Sequence, residues 1–152
     1  MSHWNETYDA LAGCYDDMTE DVNYPGWADF LEKLFSRGKH PVHTVLDLAC
    51  GTGTMSFLLA ARGYELIGVD FSPEMLAIAA EKTLEGEGEP PIFLCQPMEK
   101  LDLYGTVDAC VCLLDSVNHI TQPGKLCRAF ERVRLFLEPG GLFVFDVHTP
   151  EH

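Results

Sequence analysis

Two acidic residues and two glycines are the residues of this chain whose types and spacing best suit chemistry. Asp47 precedes Gly51 and Gly53 in a glycine turn, and Asp70 ends the next apolar run. The glycines let the backbone turn tightly and let a ligand approach without a Cβ in the way. A carboxylate placed like that of Asp70 accepts hydrogen bonds from both hydroxyls of a ribose. The pattern therefore predicts a site for a cofactor that contains a nucleoside.

The residues around the glycine turn indicate which nucleoside cofactor it suits. A dinucleotide fingerprint requires Gly-x-Gly-x-x-Gly, but Ser56 stands at its third glycine, and Asp47 would sit badly beside a pyrophosphate. No lysine lies between Lys39 and Lys82, which excludes a phosphate loop with Gly-Lys-Ser/Thr. An acidic turn suits a cofactor with a cationic end, such as the ammonium and sulfonium of S-adenosylmethionine. An NAD-dependent oxidoreductase is the less favoured alternative.

Four motifs in chain order resemble those of the class I S-adenosylmethionine-dependent methyltransferases, in their small bacterial form. They are the glycine turn from Asp47 to Gly53, the acidic Asp70, the strand and loop 107–116, and the Pro-Gly-Gly turn before strand 142–148. The resemblance implies methyl transfer from S-adenosylmethionine to a small-molecule acceptor. The cofactor-binding residues that we expect are Tyr15, Tyr24, Asp47, Ala49, Gly51, Gly53, Asp70, Phe71, Met75, Gln96, Pro97, Met98, Leu113 and Leu114.

The chain departs from the family pattern after the third predicted strand, where Pro97 stands in place of the usual aspartate. Because proline has no side-chain acceptor, we expect adenine to be recognised by Gln96, a backbone amide or Met98. We assign no catalytic base, since methyl transfer is accelerated largely by positioning the nucleophile in line with the sulfonium. A non-catalytic module that binds S-adenosylmethionine or S-adenosylhomocysteine without an acceptor site is therefore a further alternative.

Apolar and polar stretches alternate in a way that predicts an α/β fold. The expected elements are strand 42–48, helix 54–62, strand 65–69, helix 73–85, strand 92–96, strand 107–113, helix 123–137 and strand 142–148. Strands spaced by helices give a mostly parallel sheet with helices on both faces. The resemblance implies a Rossmann-like sheet of order 3-2-1-4-5 without the family's strands 6 and 7. It also implies a helical lid over 1–41 and a cofactor-binding core over 42–152, incomplete at its carboxyl end. The alternation of predicted strands and helices and the family resemblance therefore predict the same architecture.

Composition limits the partners of the chain. Its 152 residues fit one domain, and a net charge of −14 repels the phosphate backbone of nucleic acids. Six cysteines without a Cys-x-x-Cys pair predict reduced, mostly buried thiols and no metal site. We expect a cytoplasmic protein with no membrane partner, since the sequence has neither a signal peptide nor an apolar run near 18 residues. The apolar fifth strand, left at the edge of the sheet, predicts a homodimer.

Overall fold

A computed structural model describes residues 23–85, 88–112 and 123–145 of the chain. The part of the predicted helical lid before residue 23, together with Tyr15, Leu113 and Leu114, lies outside these described residues. The elements in chain order are α1 (Tyr24–Arg37), β1 (Thr44–Leu48), α2 (Thr54–Ala61), β2 (Glu65–Asp70), α3 (Pro73–Thr83), β3 (Ile92–Cys95), a 3-10 helix (Met98–Lys100), β4 (Val107–Cys112), α4 (Pro123–Phe136) and β5 (Leu137–Phe145).

The five strands form one parallel sheet in the order β3-β2-β1-β4-β5, which confirms the order that the family resemblance implies. The central strand β1 pairs with β2 through Leu46 and Ile67, and with β4 through Leu46 and Cys110. Four successive residues of β1, from Val45 to Leu48, are buried. A central strand of a parallel sheet is covered on both faces, which explains why this run is apolar apart from Asp47.

Two hydrophobic clusters cover the two faces of the sheet, because successive strand residues point to opposite faces. Val45 belongs to the first cluster and Leu46 to the second. In the first, α1 and α2 contribute Ala28, Leu31, Phe35, Met55 and Leu59. In the second, α4 and the segment after β3 contribute Leu101, Leu103 and Val133. Helical and loop residues therefore pack on both faces, and α1 shares the core of the domain.

The Pro-Gly-Gly segment forms a bulge inside β5, although the sequence predicts a turn before that strand. Val107 pairs with Leu137 and Ala109 with Leu142, so the register shifts between these two pairs. Three more residues therefore lie on β5 than on β4 across this interval. Gly140 has a φ of 84°, a left-handed conformation that glycine adopts without strain. The strand thus starts at Leu137, five residues earlier than expected.

The cysteines correct one prediction from composition. Cys110 and Cys112 are buried and share one face of β4, as their spacing predicts. Cys95 and Cys127 are exposed, so the expectation of mostly buried thiols is wrong for them. The reason is their placement, since Cys95 ends the edge strand β3 and Cys127 lies on the outer side of α4. The five cysteines in the described part of the chain are free thiols.

The described ranges contain no group of three or more histidine, cysteine, aspartate or glutamate side chains that could hold a metal ion. None of the helices within residues 23–85, 88–112 and 123–145 is long and apolar enough to cross a membrane.

Candidate functional site

The glycine turn joins β1 to α2 at the carboxyl end of the sheet, where open α/β sheets bind ligands. Its backbone adopts positive φ at three alternate residues, 59° at Ala49, 59° at Gly51 and 84° at Gly53. Ala49 is the only non-glycine residue with a positive φ in the described part of the chain. This conformation costs an alanine roughly 1–2 kcal/mol. The turn is held to β2 by the amide of Cys50, which donates to the carbonyl of Val69 at 2.9 Å.

Asp70, at the end of β2, is bound to the backbone of the glycine turn. The amide of Gly51 donates to its Oδ2 at 2.8 Å, and the amide of Ser72 donates to its Oδ1 at 2.9 Å. The residue is 2% exposed. Two backbone donors therefore fix the orientation of this carboxylate against the turn. The sequence places Asp70 beside the turn, and the structure adds the hydrogen bond that joins them.

Asp47 is the second carboxyl group of the site and is buried beneath the turn. Ser56 Oγ donates to its Oδ2 at 2.7 Å. Burial raises the pKa of Asp47 to about 7, the hydrogen bond from Ser56 lowers it in part, and the charge of Asp70 adds to the rise. The carboxyl group is therefore partly protonated near neutral pH. The turn is consequently less negative than a count of its aspartates indicates.

The thiol of Cys50 lies within the same turn and is unsuited to nucleophilic chemistry. Burial raises its pKa above the ordinary range of a cysteine, and the negative charges of Asp47 and Asp70 raise it further. A thiolate is the reactive form of cysteine. Cys50 therefore stays neutral and serves in packing.

The segment after β3 runs beside Asp70. The backbone amide of Gln96 donates to the carbonyl of Asp70 at 2.9 Å. The Gln96 side chain donates through Nε2 to the carbonyl of Asp102 at 2.9 Å and accepts from the Asp102 amide at 3.0 Å. Pro97 caps the 3-10 helix, and Met98 packs against the second cluster. The side-chain amide of Gln96 thus closes its own loop, and adenine recognition by these three residues stays a prediction.

Three other predicted site residues in the described part of the chain, Met75, Phe71 and Tyr24, differ in burial and contacts. Met75 is fully buried, and its amide donates to Ser72 Oγ at 3.2 Å, so Ser72 is the N-cap of α3. Phe71 is half-buried, and its carbonyl accepts from the Cys95 thiol at 3.6 Å. Tyr24 begins α1 and packs against the first cluster. The structure therefore places Ala49, Gly51 and Gly53 in one turn, with Asp47 on β1 beneath it and Asp70 at the end of β2 beside it.

Several residues around the turn escape sequence reasoning. In the sequence, Ser56 stands only as a departure from the third glycine of a dinucleotide fingerprint. In the structure its hydroxyl donates a hydrogen bond to Asp47. Lys82 on α3 donates to Thr52 Oγ1 at 3.3 Å and to Thr54 Oγ1 at 3.5 Å. Nothing in the sequence pattern links this lysine to the turn. The sequence does give an indication at Gly68, because a glycine within a strand indicates that another group approaches the backbone closely.

Comparison with known proteins decides the family. Residues 45–141 match the family model described as a methyltransferase domain. The chain belongs to the methyltransferase family. This methyltransferase domain is 35% identical over 144 residues to a putative methyltransferase, YqeM, of Bacillus subtilis, an alignment that covers 93% of the chain and 56% of the relative.

Solved structures agree with that assignment. The methyltransferase domain superimposes with a TM-score of 0.80 and 34% identity on an S-adenosylmethionine-dependent methyltransferase from Clostridium acetobutylicum, covering 93% of this chain and 57% of that one. It matches CalS10, an amino pentose methyltransferase from Micromonospora echinaspora, with a TM-score of 0.79 and 25% identity, covering 90% and 56%. The chain therefore spans little more than half the length of these relatives.

Proposed function

We propose that the chain binds S-adenosylmethionine at the glycine turn and takes part in methyl transfer to a small-molecule acceptor. The observation that carries the proposal is the bond between the Gly51 amide and the carboxylate of Asp70. It supports a ribose-binding role for Asp70, because the buried carboxylate lies directly against a turn whose glycines let a ligand approach closely. When bound, S-adenosylmethionine supplies a methyl group on a sulfonium, which is an electrophile that needs no further activation by the protein.

The residues of the turn fit that cofactor better than they fit a dinucleotide. Asp70 orients a ribose, and Asp47 places a carboxyl group where a pyrophosphate would be repelled once the group ionises. The side chain of Ser56 points at Asp47 and is buried. The turn therefore lacks the open third glycine of a dinucleotide fingerprint. What this chain contributes to the reaction is binding and orientation of the methyl donor.

A small-molecule acceptor is supported by the relatives and by charge. Glycine N-methyltransferase of Mus musculus is 31% identical over 143 residues, and the amino pentose enzyme CalS10 has a closely similar fold. The names of both proteins describe small acceptors. A formal charge of −14 disfavours a nucleic acid substrate. We leave the methylated atom unassigned, because acceptor specificity is carried by loops rather than by the fold.

The remaining expectations from the sequence form part of the same proposal. Residues 1–41 would act as a helical lid with Tyr15 and Tyr24 near the methionine end, and Leu113 and Leu114 would line the pocket wall. The division at residue 41, the cytoplasmic location and a homodimer through β5 stay predictions. The edge position of β5, where Phe145 is 40% exposed, supports the last of these.

Calorimetric titration tests the cofactor assignment. We expect S-adenosylhomocysteine to bind and NAD to give no heat. Asp70→Ala should abolish binding, because it removes the acceptor for the ribose. Asp29→Ala is the matched control, since this aspartate lies on α1 with a side chain that is 65% exposed. Unchanged affinity in Asp70→Ala would remove the ribose assignment, and binding of NAD instead would favour an oxidoreductase.

Transfer of a labelled methyl group separates an enzyme from a binding module. The chain should methylate at least one member of a panel of amino acids, amino sugars and quinols when supplied with S-adenosylmethionine. Tight binding of S-adenosylhomocysteine without transfer to any member would support the binding module. A longer natural form of the protein, if one exists, is assayed beside the chain.

A further inference from the structure

Gly68 occupies a position in β2 where a glycine is unfavourable, because it packs no side chain and loses much conformational entropy. Its φ is not among the positive values of the described glycines, so the backbone does not require it. A Cβ at Gly68 would lie 2.7 Å from Cδ1 and 2.8 Å from Cε1 of Phe93, and 3.0 Å from Cys50 Sγ. Phe93 is the register partner of Gly68 on β3. The ring of Phe93 therefore explains this glycine.

The same ring reaches the glycine turn. A Cβ at Gly53 would lie 2.9 Å from Cζ and 3.1 Å from Cε1 of Phe93, and 3.2 Å from Cε2 of Phe57. The two phenylalanine rings have centroids 5.6 Å apart. The amide of Phe57 also donates to the carbonyl of Gly53 at 2.9 Å. Gly53, which ends the turn and caps α2, is therefore in contact with two aromatic rings.

We propose that Phe93 is a positioning residue that sets the place of the glycine turn relative to Asp70. The same edge of its ring approaches both glycines: Cδ1 and Cε1 lie against Gly68, two residues before Asp70 on the same strand, and Cε1 and Cζ lie against Gly53. The ring thus contacts both β2 and the turn. Its size fixes the separation of the two parts that hold the cofactor, so this inference rests on the proposed function. A displacement of about 1 Å of the groups that hold a substrate can lower the catalytic rate on the order of 100-fold.

Phe93→Val tests the proposal by removing the ring while keeping a residue that favours strands. We expect the affinity for S-adenosylhomocysteine to fall by roughly tenfold or more. Without ligand, we expect faster hydrogen exchange at the amides of Gly51 and Gly53, because local opening of the turn becomes easier. Phe143→Val is the matched control, since Phe143 is a half-buried strand residue that packs against Phe130 in the second cluster. It should lower the melting temperature but leave affinity and turn exchange unchanged.

A double-mutant cycle with Gly68→Ala tests the contact itself. In the wild-type background the added methyl group must displace the ring that also contacts Gly53, so we expect weaker binding of S-adenosylhomocysteine. In the Phe93→Val background there is no ring to displace, and Gly68→Ala should change the affinity by less than about twofold. Should Gly68→Ala fold only in the Phe93→Val background, that rescue also supports the contact.

Three results would overturn the proposal. They are unchanged affinity and turn exchange in Phe93→Val, equal losses of affinity in Phe93→Val and Phe143→Val, and equal effects of Gly68→Ala in both backgrounds. A wild-type chain that does not bind S-adenosylhomocysteine would contradict the proposed function instead. In that case hydrogen exchange, measured without ligand on the same variants, still decides whether Phe93 holds the turn.

Discussion

Two aspartates at opposite ends of the sheet show how differently one side chain can be used. Asp47 lies at the carboxyl end of β1, where burial raises its pKa to about 7. Asp108 lies at the amino end of β4 and, although burial raises its pKa, the amide of Thr44, the ring of His40 and the amide of His43 together lower it below the ordinary value. The first carboxyl group is held in an environment that disfavours its charge, and the second is stabilised as an anion.

The difference follows from the donors that each group receives. Asp108 Oδ2 accepts from the amides of His43 and Thr44, both at 2.9 Å, and Oδ1 lies 2.7 Å from His40 Nε2. Among the described residues, Asp47 accepts from a single neutral donor, the hydroxyl of Ser56. A buried charge is tolerated when charged or multiple donors compensate for lost solvation. The carboxylate at the amino end of the sheet therefore contributes to stability. The carboxyl group at the other end is energetically unfavourable when charged and lies beside the proposed ligand site.

The pH dependence of stability is the sharpest test, because the raised pKa of Asp47 fixes its sign. Between pH 3.8 and about pH 7 the folded chain holds the proton of Asp47 more tightly than the unfolded chain does. This protonation stabilises the fold fully below pH 3.8, and the stabilisation is lost as the pH rises through about 7. The free energy of unfolding should fall by on the order of 4 kcal/mol over this range, at about 1.4 kcal/mol per pH unit. Asp47→Asn should remove this decline in the free energy of unfolding, measured by urea denaturation from pH 4 to pH 8. Parallel profiles for both proteins would contradict the shift.

Removing the carboxylate at the other end should cost stability without affecting the ligand. Asp108→Ala leaves two backbone amides and a histidine without their acceptor, so we expect a loss of about 3 kcal/mol. Its affinity for S-adenosylhomocysteine should match that of the wild type once both are folded. Weakened binding at full folding would show that the two ends of the sheet are not separate in function.

The hydroxyl of Ser56 offers a smaller change at the carboxyl end. Ser56→Ala removes the donor that lowers the pKa of Asp47, so the pH at which stability declines should move upward. We also expect a loss of about 1.5 kcal/mol above pH 7, because a hydrogen bond to an ionised group is lost. Denaturation at pH 5 and pH 8 separates these effects. Equal losses at both pH values would indicate that Ser56 matters only for packing.

The smallest effect is expected for His40. Its ring contacts one oxygen of Asp108 and its side chain is 27% exposed, so His40→Ala should cost about 1 kcal/mol. Because the amides of His43 and Thr44 remain, the loss should be well below that of Asp108→Ala. A loss equal to that of Asp108→Ala would mean that the ring, and not the backbone, stabilises the carboxylate.

Sequence reasoning predicts those parts of the site that depend on local pattern. The glycine turn and the acidic residue at the end of the second strand are confirmed, and so is the strand order that the family resemblance implies. Each depends on periodicity, turn chemistry or a short motif. The partners of Asp47 and Gln96 were missed, because side-chain hydrogen bonds depend on rotamers that no pattern encodes. The bulge at Gly140 was read as a turn, since Pro-Gly-Gly suits both conformations.

Contacts between residues that are far apart along the chain are equally beyond sequence-based prediction. The packing of Phe93 on Gly68 and Gly53 requires the register of β2 against β3, which the sequence does not give. Gly68 could have signalled a close approach, but not the residue that approaches it. The ion pairs from Arg62 to Asp29 and Glu32, which link α2 to α1, are likewise separated by about thirty residues of chain. Fold and motif residues are thus predictable here, while the side chains that support them are not.

The spacing of the hydrogen bonds along the chain has a consequence for folding. Gly51 and Asp70 are 19 residues apart, and Asp47 and Ser56 are 9 apart, whereas Asp108 reaches Thr44 across 64 residues and His40 across 68. Closing a longer loop costs more entropy, and local contacts form faster. We therefore expect β1, the glycine turn and β2 to assemble early, as a unit that already contains the cofactor turn. The strand β4, and with it the anchor at Asp108, would join later.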